Sequence, residues 1–427
     1  MKILWITNIL FPEARRQLIG NGELKASGGW MLASADMLIR QNKVQLFVAT
    51  VTTNVHKLKI IQGEHITYYV LPFGKGNLKY NSEYELYWRQ VKEQVQPDIV
   101  HIHGTEYTHG LAYINACGGE RAVISIQGLK SGIAPHYCAG LSWKEIYGNL
   151  TLHDLIKGSI YSEQKAFKNT AKYEREILCK VSHIIGRTSW DKSHVWAINP
   201  KANYYVCNET LRSEFYDEPK WCYDKCEPCS IFLSQGSYPL KGFHQVLKAM
   251  PLILQHYPNA TIRIAGSDIT CNKGLWGVLH FTGYGKIVKR LIKKYQLKDK
   301  VTFLGPLSAQ QMKTEYLRCN VFVCPSSIEN SPNSLGEAQL LGVPCVASYV
   351  GGVPDIMQGN EEFLYRFEEV EMLAEKICYM FAFEGRCKNM ASMVQERHDP
   401  VKNCEQLFSI YGLIVKGYKE CKRQIGL

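Results

Sequence analysis

Short apolar runs alternate with longer amphipathic segments through the first half of the chain. The strand-length runs are KILWIT, VQLFVAT, ITYYVLP, DIVHIHG and AVISIQGL, and the segments WMLASADMLIRQ and NSEYELYWRQVKEQV repeat apolar residues at helical spacing. Strands that alternate with helices are typical of a parallel sheet covered on both faces. The first half therefore predicts a doubly wound α/β domain.

The same pattern begins again after roughly residue 210. SIFLSQG, ATIRIAG, VTFLGPLS and VFVCPSS predict strands, and GFHQVLKAMPLILQHYP predicts a helix. The polar, proline-containing segment 208–229 predicts a linker between two domains, 1–207 and 230–400, and residues 401–427 predict a C-terminal helix that packs back across the interface. Because open α/β sheets bind ligands at the carboxyl ends of their strands, a central cleft between the two domains is the expected site.

The composition is that of an ordinary globular protein. The chain has 427 residues, of which 46% are hydrophobic and 21% charged, and no apolar run approaches the roughly 18 residues of a membrane-spanning helix. The start MKILWITNIL holds an apolar run that is too short for a signal peptide and predicts a first strand instead. We therefore expect a cytoplasmic protein.

The net charge of +11 permits contact with phosphates, nucleic acid or anionic lipid. The most basic segment, 286–300, has the apolar spacing of an amphipathic helix with a solvated basic face, and few aromatic residues lie between its lysines. It therefore predicts no nucleic-acid site. The charge is compatible with loose peripheral contact at the inner face of an anionic membrane, although no hydrophobic anchor is evident in the sequence.

The fifteen cysteines are expected to be reduced in such a protein. Most of them lie in apolar stretches and read as small core residues. Cys222, Cys226 and Cys229 in WCYDKCEPC could bind zinc, but no second CxxC or histidine pair completes a standard set of ligands. The prediction is a loop with free thiols and no metal.

The segment 323–355 carries the strongest functional signal. An apolar strand ends at Pro325, and a polar loop leads from there into a helix that contains Glu337. The free N–H groups and the dipole at such a helix N-terminus bind anions. Two carboxylates beside it, Glu329 and Glu337, suit sugar hydroxyls rather than phosphate. Together these features predict a site for a nucleotide sugar.

The pattern P-S-x-x-E-x7-E-A resembles a motif of the retaining GT-B glycosyltransferases of family 4, the glycosyl transferases group 1. Here it is formed by Pro325, Ser326, Glu329, Glu337 and Ala338. The resemblance extends over nearly the whole chain and is densest from Ser234 to Pro354. It implies the α/β GT-B fold, in which two Rossmann-like doubly wound domains face a central cleft.

The resemblance also implies roles for the residues of this segment. Glu337 would hold the ribose hydroxyls of the nucleotide, and Glu329 would lie beside the hydroxyls of the donor sugar. The backbone of Asn333, Ser334 and Leu335 would meet the diphosphate.

The cations for that diphosphate depart from the family pattern. Lys241 matches the lysine that contacts the donor diphosphate, but the arginine that usually precedes it in a Gly-Arg dipeptide is replaced, because this chain reads Gly236-Ser237. Arg187 is a candidate replacement from the other domain, with a surface ion pair as the alternative role. Without a second cation the leaving nucleotide would lose charge stabilisation.

Further matches to the family lie at strand ends. Gly28-Gly29 resembles the glycine loop that approaches the donor phosphate and sugar, and Gly266 matches a strand end that flanks the nucleotide base. His101 and His103 match a family pattern; for both, lining of the cleft and a core role stay open. Gln127 stands where many relatives carry another histidine, and an amide can bond a hydroxyl but cannot transfer a proton.

These observations predict a retaining glycosyltransferase that moves a hexosyl or N-acetylhexosaminyl group from a UDP- or GDP-sugar to an acceptor hydroxyl. Glu329, Lys241 and His103 are the candidate catalytic residues. The acceptor is expected to be a glycan or a lipid-linked molecule in bacterial surface polysaccharide or glycolipid synthesis, and no cofactor or metal is expected. Two alternatives stay open, a GT-B nucleotide-sugar epimerase and a catalytically inactive GT-B partner subunit.

Overall fold

Helices and strands alternate along the chain in the computed structural model, which describes residues 1–20, 29–40, 44–73, 79–272, 274–383 and 388–425. The first half contains β1 (Lys2–Ile6), α1 (Pro12–Ile19), α2 (Gly29–Ile39), β2 (Gln45–Val51), β3 (Lys59–Gln62), β4 (Ile66–Leu71), α3 (Glu83–Val95), β5 (Ile99–His103), α4 (Thr108–Cys117), β6 (Ala122–Ser125), α5 (Lys130–Ile133), α6 (Trp143–Tyr147), α7 (Leu152–Lys157), α8 (Ile160–Lys180), β7 (His183–Gly186), α9 (Ser189–Ile198) and β8 (Asn203–Val206). The second half contains β9 (Ser230–Leu233), α10 (Phe243–His256), β10 (Thr261–Ile264), α11 (Gly274–His280), α12 (Gly283–Lys294), β11 (Val301–Phe303), α13 (Ala309–Arg318), β12 (Val321–Cys324), α14 (Asn333–Leu340), β13 (Cys345–Ser348), α15 (Val353–Ile356), β14 (Leu364–Tyr365), α16 (Val370–Phe381), α17 (Lys388–Arg397) and α18 (Pro400–Ile425).

The first compact unit, composed of 1–132, 168–211 and 397–427, is built on an eight-stranded sheet. The strand order is β3-β4-β2-β1-β5-β6-β7-β8, and all neighbours pair in parallel except β3, which runs antiparallel to β4 at the edge. The central strand β1 is apolar and fully buried from Ile3 to Ile6. Strands of this kind are covered by helices on both faces. The predicted doubly wound sheet is confirmed.

The second compact unit, composed of 133–167 and 212–396, is built on a six-stranded sheet. Its order is β11-β10-β9-β12-β13-β14, and every pair is parallel. Phe232, Tyr316 and Phe322 meet edge to face or tilted in its core, with ring centroids 5.1 to 6.1 Å apart. The predicted second α/β unit is likewise confirmed, and β9, β12 and β13 lie side by side at its centre.

The sequence-based boundaries place the whole of 1–207 in one domain, whereas the structure assigns 133–167 to the second unit. Residues 133–167 pack there because side chains from the rest of the second unit donate hydrogen bonds to the backbone of this segment. Ser327 donates to the carbonyl of His136 at 3.0 Å, and Lys286 donates to the carbonyl of Leu150 at 3.2 Å. An apolar-periodicity pattern contains no information about such tertiary hydrogen bonds.

Part of the segment that the sequence pattern marks as a linker is packed structure. Trp221 donates its indole N–H to the carbonyl of Cys319 at 2.8 Å, and Lys313 donates to the carbonyl of Asp217 at 2.8 Å. Residues 212–229 therefore lie against α13 in the second unit.

The C-terminal helix α18 packs on the first unit. Its Tyr411 is buried and accepts a hydrogen bond from the indole of Trp5 at 3.0 Å. Leu407, Ile410 and Ile414 join the same core cluster as strands β1 and β2. Among the helices in the described part of the chain, none is both long and apolar enough to cross a bilayer.

Candidate functional site

Three loops interlock at the carboxyl edge of the second sheet. They follow the adjacent strands β9, β12 and β13. The N–H of Ser327 donates to the carbonyl of Leu240 at 2.8 Å, which joins the first loop to the second. The N–H of Gly352 donates to the carbonyl of Glu329 at 3.0 Å, which joins the second loop to the third.

Two glycines make this close approach possible. Gly242 has a φ of 67°, and a Cβ there would overlap the carbonyl oxygen of Pro325. Gly351 has a φ of 53°, and a Cβ there would overlap the carbonyl oxygen of Glu329. Only glycine combines positive φ with the absence of a side chain, so the residue type sets the spacing of the loops.

Lys241 and Glu329 form an ion pair across the first two loops. The Nζ of Lys241 lies 2.6 Å from the Oε1 of Glu329, and the hydroxyl of Ser326 donates to the same oxygen at 2.7 Å. Burial disfavours the ammonium, but the Glu329 carboxylate and Tyr238 outweigh that effect and raise the pKa of Lys241 above its ordinary value. The structure thus brings together two of the three residues that the sequence predicts to be catalytic.

Arg212 and Glu337 form a second ion pair, which sequence reasoning missed. The guanidinium donates through Nε and Nη2 to the two carboxylate oxygens, each at 2.7 Å. Glu337 lies in the second turn of α14 and its side chain is only 6% exposed. Burial raises the pKa of Glu337, and Arg212 opposes that rise. The carboxylate predicted to hold a ribose is already bound bidentately by a guanidinium, and any hydroxyl must use its remaining lone pairs.

The N-terminus of α14 lies directly after the loop that carries Glu329. The amide of Leu335 donates to the carbonyl of Pro332 at 3.0 Å, so this predicted diphosphate contact is engaged within the turn. The buried hydroxyl of Tyr316 donates to the carbonyl of Ser334 at 2.9 Å and braces the first turn. Asn333 and Ser334 occupy the first two helical positions, where amides point out of a helix.

Two glycines form an open notch at the ends of β10 and β11. Gly266 and Gly305 exchange backbone hydrogen bonds at 2.9 and 3.1 Å, and both have positive φ. A Cβ at either position would meet no atom of the described residues within 4 Å. The described part of the chain therefore leaves the immediate neighbourhood of Gly266 open, as the predicted contact with a nucleotide base requires.

Comparison with known proteins finds a family whose model matches the part of the chain that forms this edge of the sheet. Residues 224–397 match the glycosyl transferases group 1 family. This region is a glycosyl transferases group 1 domain. The match includes Lys241, Glu329 and Glu337 and does not include Arg212.

One curated relative is the phosphatidylinositol N-acetylglucosaminyltransferase gpi3 subunit of Schizosaccharomyces pombe. It is 24% identical over 216 residues, which are 50% of this chain and 42% of the relative. The chain thus matches less than half the length of that relative.

Solved structures resemble the chain over almost its whole length. A sucrose-phosphate synthase from Thermosynechococcus elongatus superposes with a TM-score of 0.61 at 15% identity, and covers 99% of this chain and 98% of its own. The trehalose-6-phosphate structure from E. coli, bound with UDP-2-fluoro glucose, gives a TM-score of 0.65 at 11% identity and covers 96% and 99%. The chain therefore has the GT-B fold.

In the first unit, His101 and His103 lie at the end of β5 and stack with ring centroids 3.8 Å apart. His101 is a core residue whose ring nitrogens contact the hydroxyls of Tyr411 and Ser125, each at 2.6 Å, and burial lowers its pKa to about 3. Burial also lowers the pKa of His103 well below its ordinary value, so both imidazoles are neutral near pH 7. Among the residues that the structure describes, neither ring nitrogen of the buried His103 has a hydrogen-bond partner.

Glu106, just beyond that strand, is a second residue that sequence reasoning missed. Its Oε1 accepts the N–H of Gly128 at 3.1 Å, while its buried Oε2 has no hydrogen-bond partner within the described ranges. Burial raises the pKa of Glu106 to about 7, and the neighbouring carboxylate of Glu174 adds to the rise. In the sequence, Glu106 is distinguished only by its place two positions after Gly104, the residue that follows β5.

Arg187 forms its contacts inside the first unit. Its guanidinium is almost fully buried and forms an ion pair with Glu209. It also donates to the backbone carbonyls of Ile126 and Gln127. The sequence offered two roles for Arg187, an ion pair at the surface and a second cation for the donor. The observed contacts match an ion pair, although this pair is buried. The role of Arg187 as a second cation stays a prediction.

The remaining predicted sites concern the glycine loop and the cysteines. Gly28 lies outside the described residues, and Gly29 begins α2. No three His, Cys, Asp or Glu side chains within the described part of the chain are placed to hold a metal ion. Cys222, Cys226 and Cys229 are free thiols, and burial raises the pKa of Cys226 to about 11.

Proposed function

We propose that this protein is a retaining glycosyltransferase that moves a hexosyl or N-acetylhexosaminyl group from a UDP- or GDP-sugar to an acceptor hydroxyl. The observation that carries the proposal is the pair of Lys241 and Glu329, held 2.6 Å apart by three interlocked loops. A nucleotide sugar offers a partner for each group. The diphosphate suits the ammonium, and the sugar hydroxyls suit the carboxylate.

Donor binding would exchange one set of contacts for another. In the ligand-free pair, the ammonium of Lys241 is neutralised by Glu329. A diphosphate that takes the ammonium frees an oxygen of Glu329 to accept a hydrogen bond from a sugar hydroxyl. Ser326, which donates to that oxygen at 2.7 Å, keeps the carboxylate in position during the exchange. This half-buried pair is therefore a preorganised site whose two charges separate onto the two halves of the donor.

Departure of the nucleoside diphosphate is the step that Lys241 would accelerate. Its raised pKa keeps the ammonium charged throughout the neutral range. A fixed positive charge at a developing phosphate charge is typically the largest single contribution in such a reaction. The N-terminus of α14 adds its dipole, and we assign the amides of Asn333 and Ser334 to the diphosphate. No step in this mechanism is assigned to a metal.

Retention of configuration follows if the acceptor attacks on the face from which the nucleotide leaves. The leaving phosphate can then accept the proton of the acceptor hydroxyl, so no strong protein base is needed. The burial that keeps His103 neutral fits this scheme, because the residue enters only as a neutral hydrogen-bonding group. Glu329 acts as neither base nor nucleophile here.

The sugar and the acceptor are proposed at the level of class. The curated relative named as an N-acetylglucosaminyltransferase and the solved structure bound with UDP-2-fluoro glucose support a UDP-sugar donor. We propose a glycan or lipid-linked acceptor in surface polysaccharide or glycolipid synthesis, and a cytoplasmic location with peripheral contact to the inner membrane face.

A panel of UDP-, GDP- and ADP-sugars tests the donor site. We expect one donor to raise the thermal unfolding midpoint of the wild type, because a ligand bound only by the folded state stabilises it. Glu329→Gln should lose most of that shift, whereas the exposed Lys298→Met should keep it. No shift with any donor would contradict the proposal.

Product analysis separates transfer from its rivals. With acceptor present, the expected products are a glycosylated acceptor and the free nucleoside diphosphate. An epimerised nucleotide sugar that forms without acceptor would favour the epimerase instead. Donor binding without turnover across a panel of glycan and lipid-linked acceptors would favour an inactive subunit.

A further inference from the structure

The short helix α7 (Leu152–Lys157) exposes its apolar residues and buries its acid. Leu155 and Ile156 are 74% and 61% exposed, and Leu152 is exposed as well. Their spacing of i, i+3 and i+4 places all three on one face of the helix. Asp154, on the opposite face, is only 8% exposed. A helix on the surface of a water-soluble domain normally has the reverse arrangement.

Hydrogen bonds fix α7 in this orientation. Asp154 forms a capping box with Thr151 at the start of the helix, and its Oδ1 accepts the N–H of Gly283 at 3.1 Å. A Cβ at Gly283 would approach the other carboxylate oxygen to 2.5 Å, so this glycine has no room for a side chain. The inward carboxylate therefore holds the three apolar side chains outward.

Neighbouring helices of the second unit extend the apolar face. On α6, Trp143 and Tyr147 are both more than half exposed. On α11, which packs beside α7, Val278 and Leu279 are exposed too. Seven large apolar side chains from three short helices thus face solvent: Trp143, Tyr147, Leu152, Leu155, Ile156, Val278 and Leu279.

Basic side chains border this apolar face. Helix α12 carries Lys286, Lys289, Arg290, Lys293 and Lys294 and no acidic residue. It is tied to the loop between α6 and α7, because Lys286 donates to the carbonyl of Leu150 at 3.2 Å and Arg290 to that of Gly148 at 3.5 Å. Lys144 and Lys157 add two exposed charges on α6 and α7 themselves. We call these seven apolar and seven basic residues the apolar–basic surface.

We propose that the apolar–basic surface docks this protein onto an anionic lipid bilayer. Exposed Trp, Tyr, Leu and Ile side chains partition into the boundary between headgroups and acyl chains, and the lysines and Arg290 attract acidic headgroups. A protein partner is less well matched, because the centre of protein interfaces is depleted in lysine. A nucleic acid is less well matched too, since the aliphatic side chains of α7 offer it nothing to stack on.

The proposal concerns where the protein is held and does not depend on glycosyl transfer. None of the fourteen residues belongs to the candidate site at Lys241 and Glu329. Binding to vesicles and turnover of a water-soluble acceptor can therefore be measured separately, and the failure of one leaves the other intact.

Vesicle flotation of the full-length protein tests the surface. We expect binding to vesicles of phosphatidylcholine mixed with phosphatidylglycerol, release at high salt, and little binding to pure phosphatidylcholine. The double variant Leu155→Ser/Ile156→Ser should lower the partition coefficient on the order of tenfold or more, because each buried CH2 contributes to partitioning. The matched control, Leu86→Ser/Leu413→Ser, removes two leucines elsewhere that are 60% and 58% exposed, and it should bind like the wild type.

A second variant separates the charges from the apolar contacts. Arg290→Gln/Lys293→Gln should weaken binding and flatten its dependence on salt, while leaving the residual binding to neutral vesicles unchanged. Equal vesicle binding by the wild type and both double variants would overturn the proposal. So would absence of vesicle binding together with a concentration-dependent dimer, or with an RNA complex, that the serine variant abolishes.

Discussion

The carboxyl edges of the two sheets treat their ionisable side chains in opposite ways. In the second unit, charges are kept and paired, Lys241 with Glu329 between two loops and Arg212 with Glu337 of α14. In the first unit the buried pair of Arg187 and Glu209 also keeps its charges, but burial disfavours charge at two residues near the end of β5. His103 stays neutral, and the pKa of Glu106 rises to about 7. The contrast suggests a division of roles, because a charged edge suits a diphosphate and a neutral one suits hydroxyls.

Removal of Arg212 should have the largest effect. Arg212→Ala leaves the buried carboxylate of Glu337 without its partner, and breaking such a pair costs about 3–5 kcal/mol of stability. Chemical denaturation monitored within the second unit would measure it. Arg318→Ala is the matched control, because its pair with Glu227 is exposed and should contribute less than about 1 kcal/mol. Similar losses from both variants would mean that burial does not distinguish the two pairs.

Lys241→Met tests the charge at the proposed leaving group. It should lower kcat/KM by a factor on the order of 10²–10³, since a preorganised electrostatic contact to the transition state is lost. The assay is release of nucleoside diphosphate with donor and acceptor. Lys298→Met, an exposed lysine of the same unit, should retain wild-type turnover. Full activity of the Lys241 variant would falsify the assignment of the site.

Glu106→Gln tests whether the first edge disfavours charge. The folded pKa of about 7 lies above the ordinary value of 4.5, so the folded state holds the proton more tightly than the unfolded state does. Stability is therefore greatest below about pH 4.5 for this group and falls as the pH rises towards 7, by roughly 3 kcal/mol in total.

The glutamine variant cannot ionise at this position. Between about pH 5 and about pH 8, a range that includes the folded pKa of Glu106, it should therefore lose less stability than the wild type. Urea denaturation at several pH values gives the comparison. Glu93→Gln, an exposed carboxylate on α3, is the control and should follow the wild type. Parallel pH profiles for wild type and Glu106→Gln would show that Glu106 is charged and solvated.

His103→Gln should have the smallest effect. Because burial keeps the imidazole neutral, glutamine conserves hydrogen-bonding capacity and removes no charge. We expect kcat to fall less than about tenfold and the pH profile of kcat/KM to keep its shape. Loss of an acidic or basic limb from that profile would show that His103 titrates during turnover and would place a charge at the first edge.

Sequence reasoning predicted the strands and the two-sheet architecture well, because apolar runs such as those of β1, β5 and β12 lie in parallel sheets buried on both faces. It also predicted Lys241 and Glu329 as site residues, and the structure brings them into contact. It missed Arg212 because that residue lies in a polar segment without a motif, and its partner is 125 positions away. It missed Glu106 because desolvation is a property of packing.

The segment 133–167 shows the same limit. The sequence-based boundaries place it in the first domain, whereas the structure packs it within the second unit and turns the apolar face of α7 outward. From the sequence alone, Leu152, Leu155 and Ile156 are indistinguishable from the buried face of a helix.

The sequence by itself determined the fold class, the Glu-x7-Glu motif and the loop lysine, because each is encoded in local spacing and residue type. The tertiary structure alone decided which charges are paired, which are suppressed by burial, and which apolar faces remain uncovered. Those outcomes depend on hydrogen bonds and desolvation between residues far apart in the chain, and local periodicity does not record them.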